Sequence, residues 1–166
     1  MARMSPLFRH TGDGTEGDGQ RRGHLPSLSE LGPQLGEIVN SAAALPVEEF
    51  AAQLMTRYFT TDYMRASQIT SMVAVDAICW DLLPDNSGEH LGEPIPDAFF
   101  SLQDVVTEAL QLLRTAGLVM QRSYMVGQDH AHGQWLDGLV TTRRGRSALA
   151  NGTVAQILSR VYAPPV

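Results

Sequence analysis

SLQDVVTEALQLLRTAGLVMQRSYMVGQDHAHGQWLDGLVTTRRGRSAL, residues 101–149, is the stretch on which the fold turns. Leu102, Val105, Val106, Ala109, Leu110 and Leu113 recur at helical spacing, whereas from Leu118 onward Tyr124, Val126, Trp135, Leu139 and Val140 follow a mixed pattern better suited to strands. The period changes at Gly117. Ser101 is placed to cap the first helical turn, Asp104 puts a carboxylate where free N–H groups favour it, and Gly117 supplies the left-handed residue that stops a helix. The stretch predicts one helix, a two-stranded hairpin with a polar tip and a short closing helix. The chain as a whole reads as mainly α with a small β-hairpin.

This order, with Gly117, Leu118 and Val119 ending the helix and Leu139, Val140, Thr141, Thr142, Gly145 and Leu149 closing the hairpin, resembles the second half of a winged helix-turn-helix domain. Bacterial regulators of the broad MarR and PadR sort carry such a half, with an "LT..G...L" turn after the last strand. The resemblance covers about fifty residues. It implies a winged-helix-like domain over residues 101–166, DNA as a partner, and dimerisation through terminal helices.

With 166 residues, 43% of them hydrophobic, the chain can bury one core or a small domain plus an appendage. It has no run near the roughly 20 apolar residues that a membrane span needs, and its first residues lack the apolar centre of a secretory signal. The expectation is a cytoplasmic protein with no membrane partner. Cys79 is the single cysteine, set among Ile78, Trp80 and Leu82, and reads as a small buried hydrophobe. All twelve basic residues are arginine, which sets aside P-loop phosphate binding and Schiff-base chemistry, both of which need lysine.

Charge is unevenly spread. The net value is -6, yet residues 1–100 hold six arginines against fourteen acids while residues 101–166 hold six against four. Only the second part offers a polyanion a favourable field, and a modest one.

Residues 1–26 read as a disordered tail, rich in glycine and acids. Residues 27–100 read as a helical region packed on the following domain. A first helix lies within Ser27–Ala44, weakened by Gly32, Pro33 and Gly36 so that a start near Pro33 is favoured. A second begins at Pro46, with Glu48 and Glu49 suited to its N-terminus and Val47, Phe50, Ala51, Leu54, Met55, Tyr58 and Phe59 forming its stripe. A third runs from Thr61 or Asp62 to about Leu83, apolar on most sides in its second half where only Asp76 and Asp81 interrupt it, and reads as the centre of the core. Pro84 to Phe100 reads as loop, with only a short turn around Ile95–Phe100 in the place where a winged helix has its supporting helix, and with Phe99 and Phe100 packing between helix and hairpin. After Gly152, the residues Val154, Ile157, Leu158, Val161 and Tyr162 form one apolar face that must be covered by the chain's own domain or by a second copy.

Gln103, Thr107, Gln111 and Arg114 gather on one helix face opposite Leu102, Val106, Ala109 and Leu113. Gln and Arg suit paired hydrogen bonds to adenine and guanine edges, and Thr suits the thymine methyl. An ordinary polar helix face accounts for them equally well, because Asp104 and Glu108 sit beside them and repel phosphate. Arg122, Arg143, Arg144 and Arg146 are candidates for gripping the backbone of DNA, or for remaining solvated. His130 and His132 at the hairpin tip supply two potential ligands with Asp129 adjacent, short of the three or four groups that zinc requires, so no metal or other cofactor is expected. No catalytic motif is present, and no enzyme is expected.

The function expected first is a dimeric DNA-binding transcriptional regulator. The alternative is a protein-interaction adaptor or assembly subunit that keeps the winged shape without DNA. A third is a ligand-sensing domain with Met55, Tyr58, Phe59, Met72 and Trp80 lining a pocket, which is compatible with either.

Overall fold

The computed structural model describes residues 30–60, 75–83, 94–126 and 134–162. In chain order these form α1 (Gly32–Ala43), α2 (Val47–Tyr58), α3 (Val75–Leu82), α4 (Asp97–Thr115), β1 (Val119–Val126), β2 (Gln134–Thr141), α5 (Arg143–Ala150) and α6 (Val154–Tyr162). The architecture is mainly α with a small antiparallel hairpin, as the sequence leads one to expect. The tail at residues 1–26, the first half of the third expected helix, Met72 and the hairpin tip with its two histidines lie outside the described residues. Among the described residues no helix is long and apolar enough to cross a membrane.

The hub is α4. Phe99, Leu102, Val106, Ala109, Leu110 and Leu113 are all buried along it, and α1, α2 and α3 pack around that stripe with α6 touching it. Each of the larger of these side chains, fully removed from water, contributes about 1.5–3 kcal/mol before the entropy of ordering is counted. Of the third expected helix only the end is described: α3 buries Ile78, Cys79 and Leu82, leaves Ala77 exposed and Trp80 half-buried, and packs against α4. It is a flank of α4, held partly by Trp80 against Phe99, whose ring centroids lie 4.7 Å apart at 43°.

Local signals explain most boundaries. α1 carries proline in its first turn, as Pro33 indicates. The Pro46 carbonyl accepts the first amides of α2, from Glu49 (2.9 Å) and Phe50 (3.0 Å), and Glu48 and Glu49 occupy its first turn. The start of α4 departs from expectation. The helix begins at Asp97, after Pro96, and Ser101 lies one turn inside, its hydroxyl donating to the Asp97 carbonyl at 3.3 Å. Ile95–Phe100 is thus no separate supporting turn; most of it is the opening of α4, and the boundary between residues 100 and 101 falls inside a helix. Phe99 points into the core against α3, and Phe100 is 50% exposed, so the pair does not wedge between helix and hairpin.

The hairpin pairs Val119 with Thr141 through Val126 with Gln134. α6 lays Val154 and Leu158 into the chain's own core, chiefly against α2, and leaves Val161 partly exposed. Val154 and Leu158 are thus covered from within, and Ile157 partly so. Both halves of the chain contribute to one continuous hydrophobic cluster, from Leu31 in the first to Leu158 in the last.

Candidate interaction face

The corner after α4 fixes how its outer face is presented. α4 ends with Gly117 at a φ of 69°, its amide donating to the Arg114 carbonyl (2.9 Å) and that of Leu118 to Leu113 (3.0 Å). This paired arrangement closes the helix and buries Leu118 beside Leu113. The chain then enters β1 with no free backbone donor at the turn.

Returning along β2, three residues lock the hairpin base. The Thr141 hydroxyl donates to the Phe59 carbonyl at the end of α2 (3.0 Å). The Thr142 hydroxyl donates to the Gly117 carbonyl (2.7 Å) and accepts from the Gly145 amide (2.9 Å), so it caps α5 while holding the end of α4. At Gly145 a Cβ would run into the Leu118 carbonyl and come within 2.9 Å of both Met55 Cε and Thr141 Cγ2. The "TT..G" run is thus a packing device: two hydroxyls and one missing side chain let α5 sit directly on the α4–β1 corner.

Each expected contact residue can now be located. Leu102, Val106, Ala109 and Leu113 face the core, and Thr107, Gln111 and Arg114 are exposed, while Gln103 is half-buried at the margin of that face. The residues most directly opposite the buried stripe are Asp97, Asp104 and Thr115, with Glu108 and Gln111 close on either side, all exposed. The outward crest of α4 is acidic in its first two-thirds and neutral after it, and the Gln103, Thr107 and Arg114 series runs along one edge, with Gln111 reaching the crest itself.

The arginines divide. Arg146 Nη1 donates to the Thr141 carbonyl (2.9 Å), giving that side chain a structural partner. The Arg144 guanidinium lies over the end of α4, where a Cβ on Gly117 would come within 3.8 Å of its Nη1. Arg114 occupies the last turn of α4, where a cation suits the helix dipole. Arg122 and Arg143 are exposed on β1 and on the first residue of α5. Arg143 and Arg144 both stand in the first turn of α5, where the dipole disfavours positive charge by about 0.3–1 kcal/mol each. Among the described residues none of Asp97, Asp104, Glu108, Arg114, Arg143 and Arg144 forms an ion pair.

Away from this face, Asp81 Oδ2 accepts from Arg57 Nη2 and from the Tyr58 hydroxyl, both at 2.8 Å. This joins α3 to α2. Sequence spacing alone gives no sign of it, because the partners lie more than twenty residues apart. Met55, Tyr58 and Phe59 are fully packed members of the core.

No family model matches the sequence, and no curated protein or solved structure is significantly similar to it.

Proposed function

We propose that the protein is a non-enzymatic interaction module, an adaptor or assembly subunit in which a winged-helix-like half serves protein contact. The observation that carries this reading is the acidic crest of α4. In a DNA reader that crest would enter the major groove between phosphate rows, and Asp97, Asp104 and Glu108 would be repelled there. Arg146 also has a partner within the chain, which leaves fewer arginines for phosphate. A cytoplasmic setting suits the single buried Cys79 thiol, which needs no oxidising compartment.

A second reading, a DNA-binding transcriptional regulator acting as a dimer, is supported by the Gln103, Thr107, Gln111 and Arg114 edge together with exposed Arg122 and Arg143. Salt-titrated binding to random duplex DNA separates the two. The adaptor reading expects no binding tighter than about 10⁻⁴ M at any salt concentration. Affinity that falls steeply with salt, with a slope flattened by changing Arg143 and Arg144 to Ala, would establish the regulator instead.

A further inference from the structure

We draw no further inference here: the strongest candidate, the outward face of α4 on which Phe100 and Asp104 are exposed one turn apart, belongs to the surface already described, and nothing in the structure shows what covers it.

Discussion

The hydroxyl of Thr141 donates 3.0 Å to the carbonyl of Phe59, joining the last residue of β2 to the end of α2 across more than eighty residues of chain. Thr141 is 7% exposed and Phe59 2%, so this carbonyl is screened from water and depends on that donor.

Thr141→Val keeps the shape and removes the donor. The Phe59 carbonyl is left with its desolvation uncompensated, and stability should fall by about 1–3 kcal/mol in urea unfolding, with the m-value unchanged. A loss below a few tenths would mean that water reaches this carbonyl.

Gly145→Ala should be among the most damaging single-methyl changes in the chain. The new Cβ meets the Leu118 backbone carbonyl, which cannot swing aside as a flexible side chain would, so α5 must lift off the corner. A loss of about 3 kcal/mol or more is expected by thermal or chemical unfolding.

Gly36→Ala is the contrasting case. Gly36 lies within α1 and a Cβ there meets nothing within 4 Å, so the substitution should stabilise the chain by about 0.5–1 kcal/mol through helix propensity alone. A rise of the melting temperature by a few degrees checks it.

Tyr58 and Asp81 should prove energetically coupled. Tyr58 is wholly buried and its hydroxyl donates to Asp81, which is partly open to solvent. Asp81→Ala should cost about 1–3 kcal/mol, and the same change in a Tyr58→Phe background should cost about 1 kcal/mol less, since the buried hydroxyl no longer loses its acceptor. The Arg57 bridge to Asp81 should contribute no more than about 1 kcal/mol, because both side chains remain a quarter to a third exposed. A double-mutant cycle in urea unfolding reads both quantities, and strict additivity at Tyr58 and Asp81 would refute the coupling.

The parts of this fold legible in sequence are those governed by local rules. Period change at Gly117, Pro33 and Pro46 at helix starts, and the stripes of α2 and α4 follow from spacing and backbone preference within a few residues. The start of α4 at Asp97 was obscured because Pro94 and Pro96 resemble loop residues, although proline is also welcome just before a helix; Ser101 offered a better cap by composition than the one the chain uses. That α4 gathers α1, α2 and α3 around it is a property of three-dimensional packing, which the stripe of α4 alone does not reveal.

The candidate face was half legible. Thr107, Gln111 and Arg114 and the acids beside them could be placed on a helical wheel, but which of these residues come to lie on the outward line depends on where neighbouring helices bury the opposite side. The second role of Arg146 was hidden for the same reason, as was the exposure of Phe100, which follows from a helix register set at Asp97.

Thr142 holds the outgoing and returning ends of the hairpin together through Gly117, so the two strands are pinned at their root. Lengthening a chain whose ends are already pinned adds little closure entropy. Extending the far ends of the two strands, past Val126 and before Gln134, should therefore leave the helical body intact, which makes those ends the place to graft a tag or a foreign epitope.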